Sequence, residues 1–151
     1  MAAPSTTAGR LSVVRYSTTG AAFTAATDIS SSIDAETFDH IVDQMDVTTF
    51  GNTSHVHATT LQDTKFDLTG FYNPTLLAAM ITAQQAHVPA AYGTITPVTW
   101  YYAPQGVTTG LPLYTMTAWI VSVTADAKAS DLTAMKIGLI VTGDLVVSTT
   151  P

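Results

Sequence analysis

Two histidines, His55 and His57, lie one residue apart in a polar segment, and this spacing is the sequence's best opportunity for metal chemistry. In an extended chain both imidazoles would project from the same face. A structural zinc site needs four ligands and a catalytic one needs three. The candidates for a further ligand are His40, His87 or an aspartate, and no spacing selects one of them. We therefore expect two exposed histidines and no metal site.

Other chemical motifs are absent from the sequence. There is no G-x-S-x-G, no phosphate-binding loop, no dinucleotide fingerprint and no cysteine nucleophile. Several acidic residues between positions 28 and 46 do not follow the spacing of an EF-hand loop, and we interpret them as a solvated acidic face. The sequence therefore predicts a protein that is not an enzyme and that needs no cofactor.

Three consecutive aromatic residues, Trp100, Tyr101 and Tyr102, offer a different function. Such rings can stack on sugars, which would make the chain a carbohydrate-binding β-sandwich module. In a β-rich domain, however, they are more often core or interface anchors. A sugar-binding module therefore stays an alternative hypothesis.

The composition indicates a protein whose surface is largely covered by other subunits. Only 11% of the 151 residues are charged, against about 25% in ordinary soluble domains, while 46% are hydrophobic and the mean hydropathy is +0.27. Subunit contact is the simplest way to cover such a surface. The length suits one domain. We expect it to span residues 10–151 after a flexible N-terminal arm at 1–9.

The charge balance excludes tight binding to nucleic acid. The net charge is −6, and the five basic residues are scattered rather than clustered. An acidic surface is instead suited to letting DNA slide past. The N-terminus lacks a signal-peptide pattern, and no apolar run approaches the roughly 18 residues of a membrane span. We expect a protein that is made and used without export.

Hydrophobic periodicity predicts a mainly β, formally α+β, chain that forms a β-sandwich or barrel-like domain with one helix. The helix is expected over residues 74–85, with Asn73 as its cap and Pro74 in its first position. Its predicted apolar face is Leu76, Leu77, Met80 and Ile81. The strands are expected over 11–17, 65–71, 96–102, 111–123, 132–142 and 145–149.

Three details of this assignment matter later. Segment 37–47, "TFDHIVDQMDV", fits both a helix and a strand, and periodicity alone slightly favours the helix. Segment 111–123 is apolar on both faces, with Trp119, Val121 and Val123 on one of them, which predicts burial on both. The last two strands are expected to form a hairpin across Gly143-Asp144.

From Asp28 onward, the order of motifs resembles the tail tube (major tail) proteins of long-tailed bacteriophages. A "D-I-S" segment leads into a strand, which runs into "D-x-T-T-F-G" at Asp46–Gly51. A polar loop follows, then a strand that ends in "G-x-Y-(D/N)" at Gly70–Asn73, and then the helix. The later "WYYAPQG" and "AWIVSVTADAKASDL" segments are similar to the second sheet of that family.

The resemblance implies a structural virion protein, located in the phage tail and in the host cytoplasm during assembly. Such proteins form hexameric rings whose inner sheets join into one barrel, and the rings stack into a hollow tube that carries genomic DNA without specific binding. Six chains of net charge −6 would carry −36 per ring. The implied partners are other copies of the chain, the tape measure, the tail tip and the terminator, with no membrane. A tube of a contractile injection or secretion machine is the alternative within the same fold. The resemblance also favours a strand for 37–47.

A long loop between early strands contacts neighbouring subunits in that family, which points to interface residues here. They are Asp46, Val47, Thr48, Thr49, Phe50, Gly51, Asn52 and the following loop through Leu61. Phe50 is the predicted anchor, because an aromatic ring flanked by Thr and Gly can insert into a neighbour's pocket. The alternative is that Phe50 packs into the core of its own chain.

Overall fold

The structure, a computed structural model, describes residues 11–51, 53–86, 97–126 and 134–151. The predicted flexible N-terminal segment at 1–9, Asn52 and His87 lie outside these residues. Eight strands and one helix occur in the described part. They are β1 Val13–Ser17, β2 Thr27–Asp28, β3 Ile33–Asp46, β4 His57–Phe71, α1 Pro74–Ala86, β5 Val98–Ala103, β6 Pro112–Asp126, β7 Ala134–Val141 and β8 Val146–Thr149. Short 3₁₀ turns occupy Phe23–Ala25 and Ser30–Ser32.

All strand pairs are antiparallel, in the order β2-β1-β5-β6-β7-β4-β3, with β8 also paired to β6. The sheet curls strongly, as contacts between strands that are not neighbours in the sheet show. The ring of Phe38 on β3 lies 6.3 Å from that of Tyr102 on β5 and 5.6 Å from that of Tyr114 on β6. At the rim, the Ser12 hydroxyl beside β1 donates a hydrogen bond to Glu36 on β3. This mainly β, barrel-like architecture with one helix confirms the predicted fold class.

The core lies inside the curl and is formed by alternating residues of β4 to β7. Phe66, Leu68, Trp100, Met116 and Ile137 are all almost completely buried. Strand alternation places them on one face, as period-2 patterning requires. A smaller cluster, in which Phe23 packs on Tyr101, covers the other face of β5.

Helix α1 begins as predicted. The Asn73 side-chain oxygen accepts hydrogen bonds from the backbone N–H groups of Thr75 and Leu76 at 3.1 and 3.2 Å, which is N-capping. The buried face is rotated from the prediction, however. Ala83 joins Leu76 and Met80 in the core, whereas Ile81 is exposed.

Segment 37–47 is extended in β3 up to Asp46, so the preference for a helix from periodicity alone is wrong and the strand is confirmed. Strand β3 pairs with β4 along nearly its whole length, from Ile33 opposite Gly70 to Asp46 opposite His57. Tertiary pairing of this kind routinely overrides a short helical pattern.

The predicted hairpin of the last two strands is wrong. Strands β7 and β8 both pair antiparallel with β6, so they run in the same direction as each other, whereas the two strands of a hairpin run in opposite directions. The chain takes five steps from Val141 to Val146 while β6 takes three from Ala118 to Thr115, so two extra residues bulge out. Gly143, with φ of 81°, lies in this bulge, because a positive φ is as useful there as in a tight turn.

Strand β6 is also not buried on both faces as predicted. Its register shifts between Ile120 and Ser122, which marks a bulge at Val121. Beyond it Val123 packs against the core, while Val121 is exposed and Trp119 on the outer face is only half-buried. The bulge therefore separates three residues that simple alternation places together.

Candidate subunit interface

The distal half of the β3–β4 hairpin extends beyond the rest of the sheet. Strand β4 pairs with β7 only from Lys65 to Phe71. Residues 41–63 therefore pair only with one another among the described residues, and we call them the arm. Isolated two-stranded hairpins are at best marginally stable in water, so an arm of this length indicates a surface that something else covers.

The base of the arm is fixed by a polar contact. Nδ1 of His40 and Oγ1 of Thr64 lie 2.6 Å apart and share a hydrogen bond, and Thr64 is buried. Immediately beyond, the register shifts between Val42 and Gln44. Such bulges increase local twist and re-aim a strand, so the arm leaves the domain at a defined position.

The arm exposes several large apolar side chains to solvent. Leu61 is 74% exposed and Phe50 is fully exposed. The exposed apolar residues of the arm are Ile41, Met45, Val47, Phe50, Val56 and Leu61. Several exposed apolar side chains on one hairpin are typical of an interaction site.

The tip of the arm is organised by the first residues of the "D-x-T-T-F-G" motif. The Asp46 carboxylate accepts hydrogen bonds from both the backbone N–H, at 2.9 Å, and the hydroxyl of Thr48. The same hydroxyl oxygen accepts a hydrogen bond from the Val56 N–H at 2.9 Å. The backbone closes the turn with Val47 N–H donating to the Val56 carbonyl at 2.8 Å. Short polar side chains that bond to their own backbone fix turns in this way.

Electrostatics at the tip favour the charged form of Asp46. The hydrogen bonds from the Thr48 side chain and backbone lower the pKa of Asp46, and the contact with His55 lowers it further. Nδ1 of His55 lies 3.0 Å from a carboxylate oxygen of Asp46. Both groups are exposed, so this contact orders the tip more than it stabilises the fold.

The structure brings the predicted interface residues together on the arm. Residues 46–51 form its end and Leu61 lies on its side, while Asn52 is outside the described residues. Phe50 does not pack into the core of its own chain. Their role in subunit contact stays a prediction that this geometry supports.

Sequence reasoning missed two exposed apolar residues of the arm, Ile41 and Met45, whereas Val56 falls within the predicted loop through Leu61. A signal was available, because Ile41, Met45 and Val47 would share one face of an extended 41–47 segment. It was readable only with the knowledge that β7 stops opposite Lys65.

The histidines do not form a metal-binding cluster in the described part of the chain, where no three His, Cys, Asp or Glu side chains converge. The rings of His55 and His57 are stacked with centroids 6.3 Å apart. His55 instead contacts Asp46, and His40 contacts Thr64 at the base of the arm.

The three consecutive aromatics do not offer a sugar-stacking platform. Trp100 is completely buried and Tyr101 nearly so, with its hydroxyl donating to the Ala21 carbonyl at 2.7 Å. Tyr102 is half-buried, and its ring lies 5.0 Å from that of Phe66. These rings build the two hydrophobic clusters, and the alternative of a carbohydrate-binding module loses its candidate site.

No helix in the described ranges is long and apolar enough to cross a membrane. The chain matches no protein-family model and no curated protein.

Solved structures share its fold. A chain of the tail of an empty gene transfer agent particle, refined with C6 symmetry, matches with a TM-score of 0.72 and 11% identity over 95% of this chain and 99% of that one. The SPP1 tail tube matches with a TM-score of 0.73 and 10% identity over 95% of this chain and 80% of that one. A chain of the PVC sheath–tube complex, from an extracellular contractile injection system, matches at 0.66 and 13% over 96% and 93%.

The architecture is therefore that of tail tube proteins, as the resemblance of the sequence implied. The shared fold extends over nearly the whole chain at identities of 10–13%. It unites phage tails, gene transfer agents and contractile injection systems.

Proposed function

We propose that this protein is a tail tube subunit that assembles into rings of six, which stack into a hollow tube. The observation that carries the proposal is the arm, residues 41–63, which exposes a row of apolar side chains on a domain with the tail tube fold. The low charge content has the same explanation, since surface buried between subunits needs few charges. Such a protein acts by assembly and passive conduction, with no catalysed reaction.

We further propose that the tube conducts the DNA of a phage or phage-like particle. The net charge of −6 supports this function. The outer face of β3 and β4 carries Asp39, Asp63 and Asp67 around Lys65, and most of these side chains are exposed. A lumen that bore such carboxylates would repel a duplex weakly along its length and would not trap it.

A tube of a contractile injection machine is the second candidate. It is favoured by the likeness to the PVC tube complex and to the cap of the anti-feeding prophage, which matches with a TM-score of 0.68 and 11% identity over 99% of this chain and 95% of that one. Native particles distinguish the two candidates. A DNA-filled capsid joined to the tube supports the phage function, and a contractile sheath without a capsid supports the injection machine.

The proposed partners are further copies of this chain, a tape measure protein inside the tube, and tail tip and terminator proteins at its ends. Chains with this fold occur in structures of a sheath/tube terminator and of a baseplate, which supports partners at the ends of the tube. The proposed location is the tail of the particle, after assembly in the host cytoplasm.

Negative-stain electron microscopy of the purified protein across a concentration series, with light scattering for mass, tests the proposal. Six-membered rings or hollow tubes are the expected result. A monodisperse monomer up to the highest soluble concentration would contradict self-assembly of this chain. The protein without residues 47–56, joined by a two-residue Asn-Gly turn, is the matched control and should stay monomeric.

A further inference from the structure

We propose that Phe50 of one subunit inserts into a groove between α1 and the β1–β2 segment of a second copy of this chain. This contact rests on the proposed tube function and specifies how the arm contributes to it. The groove encloses about 500 Å³, which is ample for a phenylalanine side chain.

The groove is lined mainly by small uncharged residues, which can accommodate an aromatic ring without burying a charge. Its lining consists only of alanine, threonine, serine and one tyrosine, with no charged residue among the residues that form it. Its lining includes Tyr16, Ala25, Ala26, Ala79, Thr82 and Ala86. A larger groove of about 800 Å³ beside β1 contains Asp34 and Glu36, and burying those carboxylates under an aromatic ring would be costly.

The tip of the arm matches this lining. Thr48, Thr49, Phe50 and Gly51 carry no charge, and the hydrogen bonds of Asp46 and Thr48 hold the turn that presents Phe50 to solvent. The hydrogen bonds of Thr48 pre-organise the turn that carries Phe50, so less backbone entropy is lost on insertion. Burying a phenylalanine removes about 150–250 Å² from water, which makes Phe50 the strongest single anchor that the arm offers.

Phe50 does not occupy the groove of its own chain, because its ring is fully exposed. The 14 residues of β3 separate the tip from Ile33, which is about 45 Å at the rise of a strand. The groove lies on α1, whose cap Asn73 donates to the Ser32 hydroxyl at 3.0 Å beside Ile33. The 13 residues of α1 span only about 20 Å. If β3 ran straight, ring and groove would therefore lie about 20 Å apart within one chain.

Phe50 and the groove thus lie on different surfaces of the same molecule. In the rings of six proposed above, a contact between two such surfaces is heterologous, so each subunit gives its arm to one neighbour and receives an arm from another. Contacts of this type close into rings or continue as open helical stacks, which are the two geometries that a tube of stacked rings combines.

Disulfide trapping tests the contact without background, because the chain has no cysteine. We expect oxidised tubes of the Thr49→Cys/Thr82→Cys variant to give a ladder of covalent multimers on denaturing gels, with Phe50 intact. The Thr49→Cys/Thr108→Cys variant places the second thiol at the larger groove and should give no ladder. Tubes that stay monomeric with Thr82→Cys, or that form a ladder only with Thr108→Cys, would overturn the proposal.

A second experiment does not depend on the engineered thiols. Thr82→Trp fills the groove and should raise the protein concentration needed for tubes at least tenfold, with an unchanged melting temperature. Gln85→Trp is the matched control, since Gln85 is exposed on the same helix and outside the groove lining. Equal assembly of the two variants would contradict the contact. Wild-type protein that forms no tubes removes the proposed function and this contact together, whereas wild-type tubes with a negative result remove only the contact.

Discussion

The hydroxyl oxygen of Thr48 accepts a hydrogen bond at 2.9 Å from the backbone N–H of Val56, across the neck of the arm's tip. The same hydroxyl donates to the Asp46 carboxylate. The Thr48 side chain therefore links the end of β3 to the residue that precedes β4. In the "D-x-T-T-F-G" motif the first threonine builds the turn, and the phenylalanine of the motif is left exposed.

Replacing Thr48 with valine should raise the pKa of Asp46 toward the usual range of an aspartate. The folded protein holds that pKa low through the Thr48 hydrogen bonds. The order they give the tip is therefore present at neutral pH and is lost as the pH falls through the lowered pKa. Carboxyl-detected NMR titration measures the change. Thr49→Val is the control and should leave the pKa of Asp46 where it is.

Phe50→Ala should abolish tube formation and leave the stability of the subunit unchanged. Phe50 is fully exposed, so its removal creates no cavity, and exposed substitutions of this kind change the free energy of unfolding by about 0.5 kcal/mol at most. Phe66→Ala is the opposite case, because Phe66 is completely buried and its loss should cost about 3–5 kcal/mol. Thermal unfolding and light scattering on both variants separate the two effects. A Phe50→Ala subunit that melts far below wild type would show that the ring is part of the core.

Gly70→Ala should destabilise the fold by about 1–3 kcal/mol, as overpacking does. A Cβ at this position would collide with the backbone carbonyl oxygen of Ser32, where the start of β3 crosses the end of β4. Gly51→Ala is the matched control, since nothing lies within 4 Å of a Cβ there. Urea unfolding of the two variants measures the difference, and equal midpoints would contradict this close approach.

Asn73→Ala should cost about 1 kcal/mol, because its side chain caps α1 and also donates to the Ser32 hydroxyl. Thr75→Ala leaves the cap in place, because only the backbone N–H of Thr75 takes part in it, and its effect should stay within about 0.5 kcal/mol. Urea unfolding at neutral pH compares the two, and equal loss in both variants would contradict the capping role.

The sequence was sufficient for local structure wherever one physical signal dominated. The Asn73-Pro74 start of α1 was predictable from capping chemistry, and the strand around Phe66 and Leu68 was predictable from alternation. Segment 37–47 was not predictable from periodicity, since its pattern suits both structures and only pairing with β4 selects the strand. The resemblance to tail tube proteins supplied that missing tertiary information.

Long-range register was beyond the sequence. Nothing local shows that the Gly143-Asp144 segment is a bulge beside β6 and not a reversal, because glycine with positive φ serves both. The bulge at Val121 likewise depends on how β6 meets β7. The subunit interface stays a prediction, and the extent of the exposed arm depends on where β7 ends, which sequence patterning does not encode.

Cryo-electron microscopy of the assembled protein is the decisive test of the proposed tube. We expect a tube of six-subunit rings in which residues 41–63 of every subunit contact a neighbouring chain and Phe50 is buried. A tube in which this arm remains in solvent, or an assembly without six-fold rings, would contradict it.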